Sequence, residues 1–402
     1  MMAIRISVLA VLAAVALAKP PSDAERAFRS GVAAYDQARF EAAARYFSKA
    51  LKLDPEWEAP LGFRALSRWT NGDRAGAHED AVAAARSHSK TAEQYVARGM
   101  GRYVLRNLQG AQNDYQEAIR LNPRYALAYY GLGSVLSSQG KAQEAVEPLD
   151  KAAQLAPNSA VIHIVRGTVK DKLKQFRGAV DDYSRVIEIN PRFAWARLYR
   201  ARDHREVQEY ALAAEDFSAF LKVVPKHEEA LYLRANCYSL TGDPESAIKD
   251  LDRVIAIDPK RGLAWSNRGL AKNAVGDKTG ALADLRRALR LEPSKREQIQ
   301  QAIDAIVAEE KENEAPSTLK GEAAQPAGSS AKEVPVEALP PPWPGETVPN
   351  SGYLPPRRAP PDSDAGDAGD ASEKKATRPA VSPRRPAGPE KVRDTESTPF
   401  IE

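Results

Sequence analysis

ALAYYGLGSVLSSQGKAQEAVEPLDKAAQLAPNS, residues 126–159, is one copy of a pattern that recurs along the chain every 34 residues. Its Pro157 belongs to a register of seven prolines, Pro55, Pro123, Pro157, Pro191, Pro225, Pro259 and Pro293, separated by 34 residues or once by twice that, with Ser89 on the missing beat. A fixed period of this length specifies stacked repeats rather than one closed core. With Ala24 as the first position, eight units of 34 cover residues 24–295 of the 402.

Every thirty-fourth residue forms a column, and the columns describe a helical hairpin. Column 8 is Gly31, Ala65, Gly99, Gly133, Gly167, Ala201, Ala235 and Gly269, and column 20 is alanine in all eight units, from Ala43 to Ala281. Two columns of the smallest side chains are what two helices need where their backbones cross closely. Column 24 (Phe47, Tyr115, Leu149, Tyr183, Phe217, Leu251, Leu285) and column 28 (Leu51, Ile119, Ile187, Leu221, Ile255, Leu289) lie four apart, on one helical face. Gly72, Gly140, Gly242 and Gly276 fall between the two helices, where a left-handed residue ends the first. The proline column ends the second, because the residue before a proline is pushed out of the helical region.

On these residues the chain resembles the tetratricopeptide repeat family, whose pattern sets an aromatic at column 4, Leu at 7, Gly at 8, Ala at 20 and 27 and Pro at 32. Unit 4 matches with Tyr129, Leu132, Gly133, Ala145, Ala152 and Pro157, and unit 8 with Trp265, Gly269, Ala281, Ala288 and Pro293. The resemblance implies an all-α, right-handed solenoid of eight helix-turn-helix repeats. Unit 2 departs most, with Ala81, Ser87 and Ser89 at the aromatic, apolar and proline positions, so its second helix is expected to pack least well.

Another departure recurs. Column 7 carries arginine in six units (Arg64, Arg98, Arg166, Arg200, Arg234, Arg268), and the same six carry aspartate at column 23 (Asp80, Asp114, Asp182, Asp216, Asp250, Asp284). Units 1 and 4 have neither, showing Ser30 with Tyr46 and Leu132 with Pro148. The co-occurrence predicts structural ion pairs between the two helices of a unit, each charge compensated by its partner near the core.

Beyond Pro293, Ser294 and Glu297 read as a capping box for a closing helix over 296–313, with Ile299, Ala302, Ile303, Ile306 and Val307 on one face. Arrays need such a helix to cover the last unit's apolar face. Residues 314–402 hold 17 of the 29 prolines and read as a disordered Pro/Ala-rich tail. At the other end, the uncharged run Ile6–Ala18 follows Arg5 and closes Ala16-Leu17-Ala18, which reads as a signal peptide over 1–18 and an exported, periplasmic or extracellular protein, with no stable membrane insertion once it is cleaved.

The net charge of +4 carries no domain-wide basic excess, which argues against a nucleic-acid partner. Cys237 is the only cysteine and the five histidines form no HExxH pattern, so neither a disulfide nor a metal centre is indicated. No phosphate loop or nucleophile motif appears, and the chain reads as neither an enzyme nor a cofactor protein. The family resemblance turns the first helix of each unit toward a concave groove for a protein or peptide. There column 12 opens with Tyr35, Trp69 and Tyr103, with Phe28 and Tyr130 at column 5. Two readings stand for these rings, a peptide-binding strip and packing against neighbouring helices. Arg202, Arg205, Asn236 and Asn267 share the inner side further along and match only part of the family's carboxylate clamp, with Tyr232 where a lysine is expected. The function expected is an exported scaffold holding a peptide in its groove; the alternative is an envelope component using the array as spacer and the tail as attachment.

Overall fold

The computed structural model describes residues 21–314. The leader expected over 1–18 and the tail expected beyond 314 lie outside the described residues. Among those described there are seventeen α-helices and no strand. Sixteen form hairpins: α1 (Asp23–Asp36) with α2 (Phe40–Leu53), α3 (Ala59–Thr70) with α4 (Arg74–Ala85), α5 (Ala92–Val104) with α6 (Leu108–Leu121), and α7 (Ala126–Ser138) with α8 (Ala142–Leu155). The series continues with α9 (Ala160–Lys172) and α10 (Phe176–Ile189), α11 (Ala194–Glu206) and α12 (Tyr210–Val223), α13 (Glu228–Leu240) and α14 (Pro244–Ile257), and α15 (Gly262–Ala274) and α16 (Lys278–Leu291). Each hairpin packs on the next, so the fold is an α-solenoid.

Local chemistry sets the boundaries. Ser22 and Thr91 form capping boxes with Glu25 and Gln94 at the starts of α1 and α5. Asp73, Asn107, Asp243 and Asp277 cap α4, α6, α14 and α16, each accepting from the backbone N–H three residues on. Inside a unit, column 8 must be small because column 24 leans on it: a Cβ on Gly31 would stand 2.5 Å from the Phe47 ring. The second helices of the units otherwise end in one register, but α4 stops at Ala85, two residues short of the common end, where Ser89 replaces proline.

Every hairpin turn holds one residue in the left-handed region. Four are the expected Gly72, Gly140, Gly242 and Gly276, at φ of 91°, 81°, 78° and 86°. In the other four units Ala38, Arg106, Lys174 and Gln208 adopt the same conformation, at φ of 55°, 63°, 58° and 64°. A side chain there costs about 1–2 kcal/mol, partly offset because glycine is freer in the unfolded chain. Lys174→Gly and Gln208→Gly are therefore each expected to raise stability by about 0.5–1 kcal/mol, read as a higher urea midpoint; an unchanged midpoint would refute the strain.

All six column-7 arginines pair with the column-23 aspartate of their own unit, at 2.6–2.7 Å from guanidinium nitrogen to carboxylate oxygen. The aspartates are buried and the arginines half-buried. The same arginines also reach back to the preceding unit. Arg64, Arg200 and Arg234 donate to Ser48, Ser184 and Ser218 Oγ, and Arg166 and Arg268 to Asp150 and Asp252 Oδ1. Each thus joins three helices across a unit boundary. Arg98 is the exception: Val82 offers no acceptor at that column, and the guanidinium turns to the Ser87 carbonyl at 3.2 Å.

The closing helix α17 (Arg296–Glu314) lays Ile299, Ile303 and Ile306 on Ala281, Leu282, Leu285 and Ala288 of α16. Its entry differs from the expected capping box. Ser294 donates to Glu292 Oε1 at 2.6 Å instead, and a 3-10 turn over Pro293–Lys295 leads into the helix.

Candidate functional site

Helices α3, α5, α7 and α9, with Phe40 of α2, Tyr115 of α6 and Arg106 in the turn of unit 3, line a chamber of about 150 Å³. Unit 1 is fastened to units far along the chain. Tyr35 of α1 shares a hydrogen bond with Tyr130 of α7, hydroxyl to hydroxyl at 2.9 Å. Ser159 Oγ donates to Asp36 Oδ1 at 2.7 Å, Asn190 Nδ2 donates to the Gln37 carbonyl at 2.8 Å, and the Phe40 ring meets Phe193 edge-on at 6.3 Å. Burial pushes the Asp36 carboxyl up, and the Ser159 hydrogen bond works against that rise. These contacts clasp unit 1 to units 4 and 5.

The clasp consumes much of the aromatic strip, a correction to its reading as a peptide-facing surface. Phe28 is 4% exposed and packs on Phe47, Trp57 and Phe63; Tyr35 and Tyr130 are 1% and 8% exposed and face one another. Tyr35 and Tyr130 are inside because the clasp brings α1 onto α7, and Phe28 because its own hairpin and the next unit close over it. Trp69 and Tyr103 remain half-buried in the chamber wall, Trp69 under the Arg74 guanidinium at 3.9 Å and Tyr103 hydrogen-bonded to Ser138 at 2.9 Å.

Units 6 to 8 carry the second cluster. Asn236 and Asn267 are both buried, and Asn267 Nδ2 donates to Asn236 Oδ1 at 2.8 Å and to the Tyr232 hydroxyl at 3.2 Å. That arrangement leaves Asn267 Oδ1 buried without a donor among the described residues. Asn273 Oδ1 is in the same condition six residues further along α15. Arg261 stacks on Tyr232 at 4.0 Å and is held by Glu228 and Glu229 at 2.6 and 3.0 Å. Arg202 and Arg205 stand half-buried on α11.

Asp203 beside them went unnoticed in the sequence. It is 1% exposed, and burial, together with the neighbouring Asp171 carboxylate, pushes its pKa up to about 9. It is therefore protonated at neutral pH and shares a hydrogen bond with Asp171, while its Oδ2 has no partner among the described residues. Cys237 is buried and its thiol is pushed up to about 12 by burial, which keeps it unreactive. Among the described residues no group of three or more His, Cys, Asp or Glu is placed to hold a metal ion, and no helix is long and apolar enough to cross a membrane.

A tetratricopeptide repeat family model matches residues 96–160, 198–262 and 241–296, and a second such model matches 24–56. Unit 2, and unit 5 apart from its first residue, fall outside both. No curated protein matches the sequence. Among solved structures, the APC/C hetero-tetramer Cut9-Hcn1 superposes with a TM-score of 0.52 at 13% identity, over 71% of this chain and 56% of that one. The chain thus spans little more than half the length of that relative. YrrB, described as a TPR protein with an unusual peptide-binding site, gives a TM-score of 0.44 at 19% identity over 49% of this chain and 97% of its own. MamA from Desulfovibrio magneticus RS-1 gives 0.40 at 20% identity over 42% and 96%. With the 34-residue columns, the stacked hairpins and the family models in agreement, this chain belongs to the tetratricopeptide repeat family.

Proposed function

We propose that this chain is an exported scaffold that holds an extended peptide segment of a partner protein against the inner side of units 6 to 8. The tetratricopeptide fold is that of a protein-protein interaction scaffold. One observation carries the choice of site: the Asn267 carboxamide is fixed by two donated hydrogen bonds, yet its buried Oδ1 has none to accept. A buried acceptor left unpaired costs about 1–3 kcal/mol, and a peptide N–H that reaches it as the side chains around Asn267 shift on binding repays it. Asn273 repeats the vacancy, while Arg202 and Arg205 offer charge-assisted donors to the peptide's carbonyls or acidic side chains. Trp69 and Tyr103 belong to the chamber instead. Export rests on the apolar run before Ala18, and it places the scaffold in the periplasm or outside the cell.

Partners captured by photo-crosslinking at Arg205 in the protein's own cells supply the peptide for the test. Asn267→Ala is expected to weaken that peptide about 5- to 150-fold in a titration, the range set by about one to three kcal/mol. Asn107→Ala, at a distant cap, should leave it unchanged. Equal affinity for the Asn267 variant and the parent would remove the site from units 6 to 8.

A further inference from the structure

We infer that the chamber inside units 1 to 5 binds a small organic carboxylate, an anion carried on a flat apolar body of about the size of a benzene ring. Its volume of about 150 Å³ is that of a cavity that takes up benzene. Leu66, Val161, Ile164 and Val165 supply apolar walls, and Trp69 and Tyr103 supply ring faces. Such a cavity selects flat hydrocarbon.

The polar groups select the charge. The lining residues include two cations, Arg106 and Lys172, and neither Asp nor Glu. Among the described residues the Arg106 guanidinium has no hydrogen-bonded or ionic partner. Lys172 Nζ donates to Ser137 Oγ at 3.0 Å, which leaves the ammonium with further N–H groups and Ser137 with its own O–H to give. Thr70, Ser134 and Thr168, by contrast, spend their hydroxyl hydrogens on the carbonyls of Leu66, Tyr130 and Ile164 at 2.8, 2.8 and 2.9 Å. What the chamber offers a guest is an apolar slot edged by uncommitted donors, two of them positive. A carboxylate accepts from all three, and charge-assisted bonds of that kind are the strong ones.

The site is separate from Asn267, so its test stands apart from that of the peptide groove. Phenylacetate, 2-phenylethanol and acetate are titrated calorimetrically into the full chain. Phenylacetate is expected to bind at least about tenfold more tightly than either the neutral alcohol, which keeps the body, or acetate, which keeps the charge. A chain carrying Arg106→Gly with Lys172→Met is expected to lose at least about tenfold for phenylacetate. That variant is expected to fold, since Arg106 occupies a left-handed position that glycine prefers and Lys172 is exposed, and an unchanged far-UV circular dichroism spectrum checks it. Absence of phenylacetate binding up to about 10 mM, an alcohol that binds equally, or a double variant of undiminished affinity would each overturn the assignment.

Discussion

Asp182→Ala is expected to destabilise the centre of the array by about 3–5 kcal/mol, the cost of leaving buried or half-buried positive charge without its counterion. Asp182 is 1% exposed and is the densest polar node among the described residues. It accepts from Arg166 at 2.6 Å, from Lys170 at 2.8 Å and from His163 Nδ1 at 2.9 Å. Removing it strands three basic side chains on α9 and unties α9 from α10, while Arg166 keeps only Asp150 of the preceding unit. Surface pairs such as Arg120 with Glu117 are worth far less, because water replaces either partner. Burial alone would raise the Asp182 carboxyl, but the hydrogen bonds from His163, Arg166 and Lys170 outweigh it and hold the group below the ordinary aspartate range. A carboxyl held lower in the folded state than in the unfolded chain stabilises fully above the unfolded value of about 3.9, and that contribution is lost as pH falls through the folded value. Parent and Asp182→Asn urea midpoints should therefore diverge at pH 7 and converge as pH drops below about 4. A pH-independent gap would mean that the loss is one of packing and not of charge.

The repeats were legible because their columns record contacts made within each unit, or between one unit and the next, in the same way eight times over. Column 8 against column 24, and arginine 7 with aspartate 23, leave periodic traces that survive variation in any one unit. The arginine's second partner is periodic too, but Ser48, Asp150, Ser184, Ser218 and Asp252 share only an acceptor oxygen, which residue identity hides. Half the hairpin turns were readable from glycine; the other half hold Ala38, Arg106, Lys174 and Gln208, which tertiary packing forces into a conformation that their side chains disfavour. The clasp had no signal at all. Asp36 with Ser159, Asn190 with Gln37 and Phe40 with Phe193 each occur once, between unrelated columns, and form only because rotation accumulated over several units returns the chain to its start. A groove inferred from the family's columns presumes an open array, which is why the sequence leaves a peptide strip and helix packing both open for Tyr35 and Tyr130, rings that this chain buries.

Gly62→Ala should part that clasp. Gly62 stands at column 5 of unit 2, where a Cβ would lie 1.9 Å from the Ala97 carbonyl oxygen, a backbone atom of α5 that no rotamer change can move. The close approach has a cause in the sequence: Ala81 replaces an aromatic ring, α4 ends early, and α5 settles toward α3, with Gly101 fitting over Ala84. Forcing α3 and α5 apart costs about 1–3 kcal/mol or more as overpacking, read as a lower urea midpoint. It also opens the angle between units 2 and 3, and every contact of unit 1 with units 4 and 5 lies at the end of that lever. With Gln37→Cys and Asn190→Cys introduced at the clasp, where neither residue is buried, a short bismaleimide is expected to bridge the two in the parent and to fail in the Gly62→Ala background. Cys237 does not compete, being buried with its thiol pushed up to about 12. Gly269→Ala supplies the control, since its Cβ would press on Leu285 at 2.9 Å in unit 8, away from the clasp, and so costs stability while preserving the bridge. If both variants bridge equally, the curvature of the first five units is set elsewhere than at the Gly62–Ala97 contact.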